Sequence, residues 1–259
     1  MNDALLGLIE QSYAQKGEVF SVEYEGEKFW VKKARATQSS FMHRLYYFLL
    51  RFSLIIPVEN KSKAQALEYE TQKIRRFNAL GINTPKIILQ TQDFFVLSDC
   101  GKNVNSYIRK RDISKEKMYY YLDKTVAFLA NIHNKNEFHG GAQARNFTYK
   151  DGVVATIDLE ESFNKNVSLE LLQYRDFLLF LLSLTKTRAS FTLDYRYIID
   201  SYVRLTKRKK IKSDLKKLAN RVKFFTSLAN TAPVKRFLGR DMKGFFTLMG
   251  QLQRLDEHE

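Results

Sequence analysis

A chain of 259 residues, 44% hydrophobic and 27% charged, is long enough for one large domain or two small lobes sharing a cleft, and its 3 prolines and 11 glycines exclude long disordered linkers. The single Cys100 excludes an intramolecular disulfide and a cysteine-rich zinc site, and it fits a reducing compartment. The net charge of +15, with a pI near 9.7, implies acidic partners: nucleic acid, an anionic membrane surface, or a phosphorylated or carboxylated substrate. Solubility alone is the bland alternative. The opening segment MNDALLGLIEQSYAQKG carries Asp3 and Glu10 and has no basic start, so a signal peptide is not expected. No window offers about 18 uncharged apolar residues, and a cytoplasmic location is the expectation.

In chain order, the first hundred residues read as strand-rich with one helix. Glu18 to Tyr24 and Lys28 to Ala34 alternate around Glu25-Gly26-Glu27, a hairpin signal. Phe41 to Val58 is an apolar and aromatic run broken by Arg44 and Arg51 and ended by Pro57. A helix is predicted from about Lys63 to Leu80, with Gly81 as its stop. Leu67, Ile74, Phe77 and Leu80 recur at helical spacing, and Glu70 shares their face. A carboxylate on an inward stripe needs a partner, unless it sits at the rim and reaches water. KIILQT and FFVLSD follow as strands, then a short helix in VNSYIRK and a long one after Ser114, a plausible N-cap. FTYK and VVATID are two short strands around the Lys150-Asp151-Gly152 turn. The remainder is helical, with LLQYRDFLLFLLSL the most apolar segment.

This order, together with several short motifs, resembles the protein-kinase-like fold. The resemblance covers roughly Gly17 to Ser183. FWVKK looks like the strand whose lysine contacts the α- and β-phosphates of ATP, which selects Lys32, with Lys33 the alternate. The helix that supplies the partner glutamate matches at Glu70 and runs on into a Gly-Ile-x-x-Pro turn. That turn resembles the aminoglycoside-phosphotransferase-like and bacterial lipopolysaccharide-core (Kdo/heptose) kinases, and the chain as a whole resembles these and the related RIO kinases. VLSDCGKNVNSYI resembles the hinge, where the backbone of Ser98, Asp99, Cys100 and Gly101 would bind an adenine edge. In FHGGAQARNF, His139 matches the leading histidine of a catalytic loop and Asn146 its metal-binding asparagine. VVATIDLEE matches the strand ending in the metal-binding aspartate, Asp158. The twelve-residue step from Asn146 to Asp158 equals that of such loops. YRDFLLFLLSL resembles a helix of the lipopolysaccharide-core kinases.

The chain departs from that pattern in three places. The Gly-rich loop is reduced to Gly17, which leaves fewer backbone N–H groups for phosphate. DLEE replaces Asp-Phe-Gly, so Glu160 either adds a carboxylate to the metal side or forms a solvated acidic pair with Glu161. Gly141 stands where the catalytic aspartate would orient and deprotonate the acceptor. His139, Gln143 and Glu160 are the remaining candidates, and Arg145 either contacts a substrate anion or braces the loop.

The resemblance implies an α+β, two-lobed protein with a small β-rich lobe over residues 1–100 and a larger helical lobe over 101–259. Its cofactors would be ATP and Mg²⁺. Two functions compete. One is an atypical kinase acting on a lipopolysaccharide-core sugar or a similar acidic or glycolipid substrate at the cytoplasmic membrane face. The other is a pseudokinase that serves as a nucleotide-binding or scaffold module. Peripheral membrane contact through Phe41 to Val58 competes with packing of that segment on the small lobe. The basic stretch Arg204 to Lys223 suits acidic headgroups, and nucleic acid is the weaker partner because aromatics are not interleaved with its core.

Overall fold

The computed structural model describes residues 2–37, 56–221 and 240–254. Its first strands follow from alternation. β1 (Val19–Tyr24) and β2 (Glu27–Lys33) pair antiparallel, from Val19 opposite Lys32 to Tyr24 opposite Glu27. Glu25 and Gly26 both take positive φ in the turn, at 52° and 77°, the left-handed pair that a two-residue hairpin requires. β3 (Ile87–Gln90) and β4 (Phe94–Ser98) complete a four-stranded sheet of order β1-β2-β4-β3.

The odd-numbered residues of β2 face one way and the even-numbered ones the other. Phe29 and Val31 enter a core with Phe20, Val22, Phe94 and Val96, closed by Leu5 and Ile9 of α1 (Asn2–Tyr13). That helix is a correction to the reading of the first hundred residues as strand-rich with a single helix. Leu5, Ile9 and Tyr13, four residues apart, were its signal, and all three meet this core.

The other helix of this region, α2 (Lys63–Ala79), starts and stops as its sequence dictates. Ser62 and Gln65 form a reciprocal capping box, and Gly81 follows the C-cap at φ +67°. The helix packs against β3 and β4. The Gly-Ile-x-x-Pro turn after it is held by Asn83, whose carbonyl accepts the Thr156 N–H at 3.0 Å and whose amide donates to the Val154 carbonyl at 3.2 Å.

Downstream come β5 (Lys102–Asn103), α3 (Val104–Ile108), α4 (Lys115–Asn134, capped by Ser114), a 3₁₀ turn at Ala144–Asn146, β6 (Phe147–Lys150) and β7 (Val153–Thr156). β5, β6 and β7 form a three-stranded sheet in that order, and Asp151 and Gly152 repeat the left-handed hairpin turn. The chain ends in α5 (Leu169–Leu184), α6 (Tyr195–Thr206), α7 (Lys210–Arg221) and α8 (Arg240–Gln253). The α+β class is as expected: a small antiparallel sheet first and a helical part after it.

Two compact units divide the chain. One comprises Met1–Lys102, His139–Gly141 and Thr148–Leu172, and the other Asn103–Phe138, Ala142–Phe147 and Gln173–Glu259. In the second unit Phe147 meets Phe128 and Phe180 edge-on, each with centroids 6.2 Å apart. His133, fully buried there, has Nδ1 2.5 Å from the Tyr202 hydroxyl and Nε2 3.5 Å from Asp176. α7 turns Ile211, Leu215 and Ala219 inward and packs against α8, leaving its lysines outside. Among the described residues no helix is long and apolar enough to cross a membrane. Residues 41–55 of the apolar run, and the last two residues of the basic stretch, lie outside the described residues.

Candidate functional site

The β2 pleat separates the two candidate lysines. Lys33 donates to the carbonyls of Tyr13 at 2.5 Å and Lys16 at 2.8 Å and lies over the Tyr13 ring. Lys32 points to the face opposite Phe29 and Val31, and is buried. Its ammonium lies 2.9 Å from Glu70, 2.8 Å from Asp158 Oδ1 and 3.1 Å from Glu160 Oε2. Burial alone would lower the Lys32 ammonium, but the three carboxylates overcome this and raise it well above its ordinary value.

Glu70 is 3% exposed, so the helical face does turn it inward, and the rim alternative does not apply. Complete burial pushes its carboxyl up, against the pull of Lys32. Asp158 follows β7 by two residues and takes φ 64°, unusual for a residue with a side chain. Burial pushes its carboxyl up as well, but Lys32 outweighs this and holds it below its ordinary value.

Glu160 is not half of a solvated acidic pair. It binds Lys32, and Arg35 forks onto it, with Nε 3.3 Å from Oε2 and NH2 on Oε1. Arg35 also reaches Glu18 at 2.9 Å. Beside it, Lys61 donates to the Glu160 carbonyl at 2.5 Å and to Ser162 Oγ at 3.0 Å. A backbone bridge between Thr37 and Lys61 sets both cations in place. Neither Arg35 nor Lys61 was singled out from the sequence. The Glu160 that both reach lies 125 residues from Arg35 and 99 from Lys61, and no local pattern announces it.

The loop His139–Gly141 belongs to the same unit. Lys73, three residues after Glu70 on α2 and 1% exposed, donates to the His139 carbonyl at 2.8 Å. Its spacing from Glu70 was the available signal, obscured because lysine is ordinarily a surface residue. His139 is itself fully buried, and its Nδ1 accepts the Gly141 N–H at 3.1 Å, which suits bracing the turn rather than collecting an acceptor's proton. Gly140, at φ +101°, abuts Glu161, where an added Cβ would stand 3.0 Å from the Glu161 Cβ.

At the expected adenine-binding stretch, two of the four N–H groups are already engaged. Ser98 N–H donates to the Lys86 carbonyl at 2.9 Å and Gly101 N–H to Asp99 at 3.1 Å. Asp99 also accepts Trp30 Nε1 at 2.9 Å and Lys150 at 3.5 Å. Burial would raise its carboxyl, but these donors lower it. Cys100 is half-buried, which pushes its thiol up.

In the second unit, Gln143 is partly buried, caps the 3₁₀ turn, and accepts the Asn146 N–H on its carbonyl at 2.8 Å. Arg145 is exposed, at the centre of that turn. Asn146 is buried and immediately precedes β6. The serine of the YRDFLLFLLSL helix holds the 3₁₀ turn in place. Ser183 Oγ accepts the Ala144 N–H at 3.0 Å and donates to the Phe180 carbonyl at 2.7 Å.

No family model matches the chain. A Haemophilus influenzae protein described as uncharacterized is 26% identical over 146 residues, 56% of this chain, and the match spans about half (54%) of that relative. Among solved structures, ADP-bound aminoglycoside phosphotransferase APH(2'')-Ib is similar over 98% of both chains, with 10% identity and a TM-score of 0.39.

Proposed function

We propose that this chain binds the phosphates of ATP at Lys32 and acts as an atypical phosphotransferase of the kinase-like type. One observation carries the reading: the Lys32 ammonium is held between Glu70 of α2 and Asp158 beyond β7. A lysine so fixed presents a rigid positive charge to phosphate, and its glutamate partner ties that charge to the position of a helix. Phosphoryl transfer depends chiefly on positioning and electrostatics, which this ion set supplies.

Magnesium fits a partial role. Among the described residues no group of three or more His, Cys, Asp or Glu side chains could hold a metal, so a dedicated protein cage is absent there. Asp158 offers a partly exposed carboxylate, and Asn146 is assigned as the second oxygen donor on its twelve-residue spacing alone. That donor set suits an ion that keeps waters and arrives with its phosphates, where it would neutralise charge on the transferred group.

Two of the three candidates to replace the carboxylate missing at Gly141 are engaged elsewhere, which leaves Gln143, able to orient a nucleophile but not to take its proton. His139 is committed to its own loop, and Glu160 to Lys32 and Arg35. The acceptor is proposed to be acidic or a glycolipid at an anionic membrane face. The support is charge: Arg204 to Arg221 carries nine basic residues and one acid, a net +8 of the chain's +15.

Gly141 favours a second reading, a pseudokinase that binds nucleotide without transfer. Release or transfer of labelled γ-phosphate from ATP separates the two. The kinase reading expects a slow signal that Asp158→Ala abolishes. Equal signals from the wild type and Asp158→Ala would reject Asp158-dependent chemistry and leave the binding module.

A further inference from the structure

Glu160 sits where its carboxylate is treated as an anionic ligand. Arg35 grips it with Nε at 3.3 Å from Oε2 and with NH2 on Oε1, and the Lys32 ammonium completes the set at 3.1 Å. A planar fork plus an ammonium is the recognition that a phosphate oxygen pair also demands. The main chain is pinned from Glu160 to Ser162. Lys61 holds its carbonyl, the Tyr69 hydroxyl holds the Glu161 carbonyl at 3.1 Å, and the Glu59 N–H holds the Ser162 carbonyl at 2.9 Å. The carboxylate can therefore leave by side-chain rotation while the backbone stays in place. The cradle opens to solvent at its Arg35 end, where the Arg35 side chain is 46% exposed and its other partner, Glu18, is 64% exposed, while Lys32 forms the buried end. The neighbouring connection from α1 to β1 offers only Gly17 as a phosphate loop, so donors are scarce there.

We propose that Lys32 and Arg35 form a phosphate cradle in which Glu160 is a built-in competing anion. Terminal phosphates of a polyphosphate ligand bind as Glu160 turns out, and Arg35 supplies the donors that a glycine-rich loop would have given. The inference rests on the reading of Lys32 as a phosphate-binding residue.

The test is calorimetric titration with tripolyphosphate in excess Mg²⁺ on four proteins: wild type, Glu160→Gln, Glu160→Asp and the double variant Glu160→Gln/Arg35→Gln. Each is first checked for a wild-type-like urea unfolding transition. Glu160→Gln is expected to bind about tenfold tighter than the wild type, the scale of one charge-assisted hydrogen bond, and the double variant to lose that gain. Glu160→Asp, one methylene shorter, is expected to gain less, and it decides the matter if Glu160→Gln does not fold. No gain in either single variant, or a gain that survives loss of Arg35, overturns the cradle. Mg-ATP titrations run in parallel keep the two proposals apart. A cradle that takes tripolyphosphate while no variant binds ATP sinks the nucleotide reading alone. ATP binding that ignores Glu160 and Arg35 sinks the cradle alone.

Discussion

Asp158 shows how the site's charges become a measurable property. Lys32 holds its carboxyl below the ordinary value of 3.8, so the unfolded chain binds the proton more readily than the folded one. The stabilisation is present above about pH 4 and is lost as pH falls through the lower folded value. Asp158→Asn should therefore be less stable than the wild type at pH 7, and the gap should close below about pH 4. Thermal unfolding of both proteins from pH 7 to pH 3 checks this, and a gap that stays constant would remove the ion pair from the explanation. Glu70 is a different case, because burial pushes its carboxyl the other way and Lys32 retains Asp158 and Glu160 when it is replaced.

At the scale of elements, the turns carry the sharpest contrast. Gly101, at φ +86°, lies where an added Cβ would stand 2.5 Å from the Tyr149 carbonyl oxygen and 2.7 Å from the Lys150 Cβ. Gly26, at φ +77°, has open space around it. Gly101→Ala is expected to cost about 3 kcal/mol, strain plus clash, and Gly26→Ala about 1 kcal/mol, strain alone. Urea denaturation measures both, and equal costs would contradict the packing at Gly101. Elements of this kind were legible in the sequence because their causes are local: alternation for β1 and β2, the capping box and Gly81 for α2, Ser114 for α4. Glu70 was legible too, since helical period places it on the buried face. Arg35 and Lys61 were not, because each finds its partner across the chain at Glu160. Lys73 and α1 carry their signal in spacing alone, and for Lys73 that signal is masked because lysine ordinarily faces water. In the Ser98–Gly101 stretch, sequence did not reveal that the Asp99 side chain accepts the Gly101 N–H, because such a local turn bond leaves no pattern of its own.

At the scale of the whole molecule, the charge excess is concentrated rather than spread. α7 buries Ile211, Leu215 and Ala219 and leaves Lys212 and Lys217 48% and 77% exposed. Binding to anionic phospholipid vesicles should be strong at low salt and fall steeply by about 0.5 M, where the screening length drops below about 5 Å. Lys212→Glu/Lys216→Glu/Lys217→Glu should weaken it, and sedimentation with neutral vesicles as control reads the effect. Unchanged sedimentation would detach the charge from membrane binding. The proposed function stands or falls, however, on Lys32. Calorimetric titration of Mg-ATP into the wild type and into Lys32→Met, each shown to unfold cooperatively, tests it directly. Saturable binding by the wild type that Lys32→Met loses by at least about tenfold is the predicted result. No binding by the wild type, or equal binding by both, would contradict it.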